Sequence, residues 1–193
     1  MLARALLLGL VVPLVGACSG SGGETTDPVA TDGPVQFAGA DVEQRASMRT
    51  GDGQQAVFGA TTVENNGTST VTFSGADLVG DVDSTAATVV EVRVVQLGRA
   101  PGTGDLLGAG AWPDPEWATW WDRADALEGA HLAPGAAAEV VFIVSVDRPG
   151  DWVWPQTSVD YVVGDSSYRA VTDFGFQVCA PEPAPCSELH ATR

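Results

Sequence analysis

The sequence predicts an all-β fold, an antiparallel β-sandwich carrying one inserted short amphipathic helix. Three observations lead there. Segments rich in valine, threonine and aromatics alternate apolar and polar residues with period two. Glycine, asparagine and proline signals for turns separate those segments. A single stretch, residues 112–129, changes to helical spacing. One-sided alternation suits antiparallel sheets with one wet face, and two such sheets bury their apolar faces against each other.

The chain begins "MLARALLLGLVVPLVGACSGSGG". Arg4 precedes an uncharged apolar run, Ala5–Ala17, that is too short for a spanning helix of roughly 20 residues. Its length fits the h-region of a secretory signal. The run closes in "VGAC", with small residues before Cys18, and this resembles the lipobox of bacterial lipoproteins. The resemblance covers residues 1–18 and implies a signal peptide over residues 1–17, cleavage before Cys18 and a diacylglyceryl group on its sulfur. Two or three acyl chains hold firmly, at about 0.8 kcal/mol per buried methylene. Residues 18–34 are small, polar and proline-containing without apolar periodicity, and read as a flexible tether.

Residues 35–180 are expected to form the sandwich. "VQFAGADV" reads as an edge strand and "DVEQRASMR" as a short helix. "AVFGATTVENNGTSTVTFSG" reads as a hairpin, with Asn66-Gly67 at its two-residue turn. "TVVEVRVVQL" places Val90, Val92 and Val94 on one face and Glu91 and Arg93 on the other. Residues 98–111 read as a long loop. "AAEVVFIVSV" turns Val140, Phe142, Val144 and Val146 inward. "TSVDYVVGDSSYRAVTDFGFQV" is a second hairpin through Gly164-Asp165. Its inward residues are Val159, Tyr161, Val163, Tyr168, Ala170, Phe174 and Phe176.

The helix is expected in "WPDPEWATWWDRADALEG". Asp114 suits the N-cap, Pro115 the first helical position and Gly129 a left-handed stop. Trp117, Trp120, Trp121, Ala124 and Leu127 then share one arc, with Thr119, Asp122, Arg123 and Asp125 outside it. Three bare indoles would expose roughly 450–750 Å2, against about 300–600 Å2 for the largest patch on a typical monomer. The helix is therefore expected to dock on its own sheet. Trp152 and Trp154 alternate on one strand face and could join Trp112 beside it. These six tryptophans (Trp112, Trp117, Trp120, Trp121, Trp152 and Trp154) are the candidate surface for a ligand or partner.

"LAPGAAAEVVFIVSV" followed by "VDYVVG…YRAV" resembles the last strands of immunoglobulin-like domains on bacterial surfaces. The resemblance covers roughly the C-terminal 60 residues. It implies that Leu132–Gly135 turns the chain into a strand of the other sheet, and that Tyr161 makes a tyrosine-corner hydrogen bond. Antibody-type cysteines bracketing a tryptophan are absent, and a fold of this kind does not fix an activity.

Cys179 and Cys186, in "CAPEPAPC", are expected to pair in an exported chain. The loop-entropy relation gives about 2.5 kcal/mol for so short a ring. The prolines already restrict that segment when unfolded, so the gain is smaller. Residues 181–193 are read as a C-terminal tail.

Composition limits function. The formal net charge is −16, and all nine cationic side chains are arginine. Such a chain is repelled by nucleic acid and by anionic headgroups. Zinc and copper sites need clustered Cys, His or carboxylate ligands, and the two histidines, His131 and His190, are far apart in sequence. Asp81 and Asp83 in "GDVDS" lack the rest of a calcium loop. No phosphate-binding glycine loop or serine elbow is present. The sequence thus points to a non-enzymatic, cofactor-free module, held at the membrane by its N-terminal lipid. The expected role is interaction with an envelope protein or support of an envelope process. The alternative is a glycan or small apolar molecule against Trp112, Trp152 and Trp154.

Overall fold

The structure is a computed structural model that describes residues 30–39, 44–51, 54–98, 107–115, 117, 121–180 and 186. The described strands are, in chain order, β1 (Val35–Phe37), β2 (Gln44–Arg49), β3 (Gln55–Asn65), β4 (Val71–Val79), β5 (Ala87–Gly98), β6 (Leu107–Trp112), β7 (Asp125–Ala126), β8 (His131–Leu132), β9 (Ala137–Val146), β10 (Gly150–Trp154), β11 (Gln156–Val163), β12 (Ser166–Thr172) and β13 (Phe174–Ala180).

One layer is a six-stranded sheet in the order β1–β3–β9–β5–β7, with β6 also paired to β3. β9 occupies one edge of β3. β6 and β1 share the other, β6 against Gln55–Gly59 and β1 against Val63–Asn65. The facing layer is a long hairpin whose arms are interrupted at Pro155 and Asp173. Its β11–β12 part continues into β4 and β8, and its β10–β13 part into β2. Proline at the break removes the donor a continuous ladder would need. Every pairing between the described strands is antiparallel except β2 with β13, and the isolated bridge of Ala30 to Tyr168 is also parallel.

The core lies between the layers. Phe58 of β3 stacks on Phe142 of β9 at 6.0 Å between centroids, and on Phe174 and Phe176 of β13 at 5.7 and 4.9 Å. Trp154 continues the stack at 6.0 Å from Phe176. The inward set expected on β9 is fully buried, and the second hairpin turns at Gly164-Asp165 with Gly164 at φ 59°. Its inward side chains either lie in the core or pack against it.

Several expectations are corrected. β3 and β4 form no hairpin, because β3 pairs with β1, β6 and β9 while β4 pairs with β11 and β8. The Asn-Gly signal is used differently. Buried Asn65 accepts from the Gly67 amide through Oδ1 and donates through Nδ2 to the Ser69 and Leu132 carbonyls, so the chain crosses between layers there. In β5 the register slips between Val89 and Glu91, which leaves Val90 48% exposed while Val89, Val92 and Val94 face the core. One extra residue in a strand reverses the phase of the alternation. Residues 44–49 form β2 rather than a helix, because pairing to the open edge of β13 outweighs local propensity. Residues 107–111, expected in a loop, belong to β6.

The inserted helix is not seen as expected. Pro115, Trp117 and Trp121 have helical backbone, but Asp122–Arg123 turn and Asp125–Ala126 are strand β7 against β5. Gly129 is left-handed at φ 82°, but it closes a turn between β7 and β8. Leu127 leaves the tryptophan arc and enters the main core.

Tyr161 makes a long-range bond in place of a tyrosine corner: its buried hydroxyl accepts from the Val35 amide at 3.1 Å. Its ring stacks on Tyr168 at 5.5 Å. Ala30 bridges to Tyr168, with its amide donating to the Ser167 carbonyl and its carbonyl accepting from the Arg169 amide. Gly33 lies so close to both tyrosines that an added methyl would collide with them. The end of the expected tether is therefore strapped to β12. Burial raises the Tyr161 pKa, so the hydroxyl stays protonated at neutral pH. Tyr161→Phe should lower stability by about 1–2 kcal/mol, since it leaves a buried amide without its acceptor. Urea unfolding measures this, and an unchanged midpoint would count against the strap.

Candidate functional site

The second face of the six-stranded sheet is also covered. On β9 the residues between the inward ones, Val141 and Ile143, join Val57 and Val95 in a separate apolar cluster, each at most 2% exposed. Burying a side chain of this size contributes about 1.5–3 kcal/mol. The cover is the segment running on from β6: Trp112, Trp117, Trp121 and Ala124 pack over these valines and the isoleucine. Trp117 sits directly on Gly110, where any side chain would displace the indole. Trp112 and Trp121 meet at 4.7 Å between centroids and a 49° tilt, within the range of favourable aromatic pairs. The Arg93 guanidinium lies 4.2 Å over the Trp121 ring, while its Nε donates to Glu91 at 2.7 Å. A cation placed over an indole face contributes about 0.5–1 kcal/mol at an exposed site.

Beneath this cover is an apolar cavity of about 10 Å3, lined by Val57, Val95, Trp112, Trp117, Trp121, Ala124 and Val141. That is room for about one water, and the described side chains around it are almost wholly apolar. The tryptophan segment is thus a third layer on the sheet.

The structure divides the candidate tryptophans. Trp112, Trp117 and Trp121 lie on the outer face of the six-stranded sheet. Trp154 is buried in the inter-layer core and Trp152 packs against that core, with its Nε1 donating to the Arg148 carbonyl. Trp112 therefore does not form one cluster with Trp152 and Trp154. Trp120 lies outside the described residues, as does Cys18.

Cys179 and Cys186 are bonded, with Cα atoms 5.4 Å apart. Next to the bond, Gln177 is buried and ties β10 to β2: its Nε2 donates to Asp151 Oδ1 at 2.6 Å and its Oε1 accepts from Ser47 at 2.9 Å. This polar line was not legible in the sequence, because nothing local marks Gln177 as buried.

Other titratable groups serve turns and cross-strand pairs. Asp160 accepts both Nε and Nη2 of Arg169 at 2.6 Å across the hairpin, which raises the Arg169 pKa. His131 is exposed, with Nδ1 2.9 Å from the Thr72 hydroxyl. Asp83 accepts the backbone and side-chain groups of Thr85, both at 2.8 Å, and lies 3.6 Å from Arg148. Those bonds, the Thr85 amide first, hold its pKa below 3.8. A depressed carboxylate contributes its stability fully above the unfolded value, and loses it as pH falls through the folded one. Asp83→Asn should therefore unfold at a lower temperature than the wild type at pH 7, and the gap should close below about pH 4. Melting curves across that range measure it. Among the described residues no three Cys, His, Asp or Glu side chains group as metal ligands.

No protein family and no curated protein matches the chain. Among solved structures it is similar to the VesB protease of Vibrio cholerae, at 12% identity over 76% of this chain and 32% of the protease, with a TM-score of 0.36. It is also similar to PapD-like domain 7 of human CEP192, at 13% identity over 94% of this chain and 100% of that one, TM-score 0.38. A third likeness is to a family 123 glycoside hydrolase from Clostridium perfringens, at 9% identity over 76% of this chain and 27% of the hydrolase, TM-score 0.34. The chain spans about a third of the protease and about a quarter of the hydrolase. Likenesses this distant assign neither an activity nor a partner.

Proposed function

We propose that the chain is a lipid-anchored cell-envelope protein, held outside the cytoplasm by acylation of Cys18. Its body is an immunoglobulin-like β-sandwich that acts as a non-catalytic interaction module. The anchor rests on the "VGAC" leader. The immunoglobulin-like reading is supported by the chain's change of layer between β8 and β9, at the turn Leu132–Gly135, and by the two packed layers. The non-catalytic reading rests on one observation: the tryptophan segment, the chemically most distinctive stretch, is packed as a cover over the sheet. The acidic balance disfavours nucleic acid as a partner.

Fractionating cells that express the full chain tests the anchor. The wild-type protein should sediment with membranes and carry acyl mass on its Cys18 peptide, and Cys18→Ser should be soluble. A native N-terminal peptide with a free thiol would refute the anchoring. Cross-linking in intact cells tests the module, which should be recovered bound to an envelope component.

A further inference from the structure

Trp112 has two environments. It closes the small apolar cavity over Val57 and Val141, and it also lines an open groove of about 350 Å3. The other walls of that groove are Gln54, Gln55, Ala111, Pro113 and Ser145. The polar side chains are set in complementary ways. Gln54 Oε1 accepts from the Gly51 amide at 3.1 Å, which orients the carboxamide with its NH2 as a donor. Ser145 Oγ donates to Asp147 Oδ1 at 3.2 Å, which leaves the serine lone pairs as acceptors. Gln55 brings both a donor and an acceptor.

A half-buried indole, a proline ring, two carboxamides and a hydroxyl suit a ligand with apolar C–H faces and many hydroxyls. The groove volume is near the lower end for small-molecule sites, roughly 300–1,000 Å3. Charge narrows the class further. Among the described residues the groove lining contains no cation, Asp147 stands beside it and the chain carries a net −16, so anionic ligands are repelled.

Position supports the same assignment. Gln55, the first residue of β3, pairs with both Trp112 and Ser145. The strapped N-terminal segment joins β3 at its last residue, Asn65, opposite Val35. At about 3.3 Å per residue the two ends of β3 are roughly 33 Å apart. The groove is therefore at the end of the sheet away from the entry of the N-terminal chain.

We infer that this groove binds a short stretch of neutral glycan, with a sugar face on Trp112 and hydroxyls on Gln54, Gln55 and Ser145. This names a ligand for the envelope module and rests on that reading. The test titrates the full-length protein with chitotetraose and mannotetraose, with dextran sulfate as the anionic comparison, and follows the Trp112 indole and glutamine side-chain amide resonances. At least one neutral tetrasaccharide should shift these signals, and dextran sulfate should not. Trp112→Ala and Gln55→Ala should each weaken binding by about tenfold or more. Gln55→Ala leaves the tryptophan layer in place, so its loss cannot be ascribed to unfolding. The proposal is overturned if neither neutral sugar shifts these signals at millimolar concentration, if dextran sulfate binds as well, or if Gln55→Ala binds like the wild type. An acylated protein that ignores the sugars sinks this inference alone, and a free Cys18 thiol with intact sugar binding sinks the anchor alone.

Discussion

Phe58→Ala is expected to lower the unfolding free energy by about 3–5 kcal/mol. Phe58 is fully buried and stacks on Phe142 of its own sheet and on Phe174 and Phe176 of the facing layer. Removing the ring takes away one of the contacts that join the layers and leaves a cavity that strands on both sides cannot collapse to fill. Domains commonly have only about 5–15 kcal/mol in total, so the variant should unfold at a much lower urea concentration. Phe58→Leu keeps most of the volume and should lose less. Equal midpoints for Phe58→Ala and wild type would refute the placement of the core.

Val141→Asp should cost as much or more, about 3–5 kcal/mol, because it buries a carboxylate beneath the tryptophan layer while Arg93, its cross-strand neighbour, is already engaged by Glu91 and the Trp121 face. This outcome separates a covered sheet face from a wet one. In a two-layer sandwich with its outer face in solvent, the same change falls within about 0.5 kcal/mol of neutral. Val141 is 1% exposed and belongs to the cluster under Trp112, Trp117 and Trp121. Urea unfolding gives the loss, and the emission of the covering indoles should shift to the red as water reaches them. A neutral Val141→Asp would show that the cover does not exist in solution.

The strands whose alternation is uninterrupted were legible in the sequence. β9 and the β11–β12 hairpin have the expected inward residues, since a period of two and a glycine turn are local properties. What failed depended on a single inserted residue or on a distant partner. Val90 reads as inward from the alternation alone, because the slip in β5 depends on how β9 pairs with it. Asn66-Gly67 suggested a hairpin, but the Asn65 side chain supplies the turn and sends the chain to the other layer. Residues 44–49 carry helix-compatible composition, and only the open edge of β13 makes them a strand. The candidate site was half legible. Packing of Trp112, Trp117 and Trp121 onto their own sheet follows from the area of three indoles, whereas the separation of Trp152 and Trp154 follows from which layer β10 joins. Gln54 and Gln55 carried no sequence signal, because a glutamine beside a groove resembles any other surface glutamine.

The strap at Ala30 has a mechanical consequence if the body hangs from a membrane as proposed. Load arriving along the N-terminal chain meets the two backbone bonds of Ala30 to β12 first, and then the Val35–Tyr161 bond. Two exposed bonds yield before a buried sheet does. Peeling residues 30–34 would then lengthen the leash by about 17 Å, at roughly 3.4 Å for each freed residue, while the layers behind it stay closed.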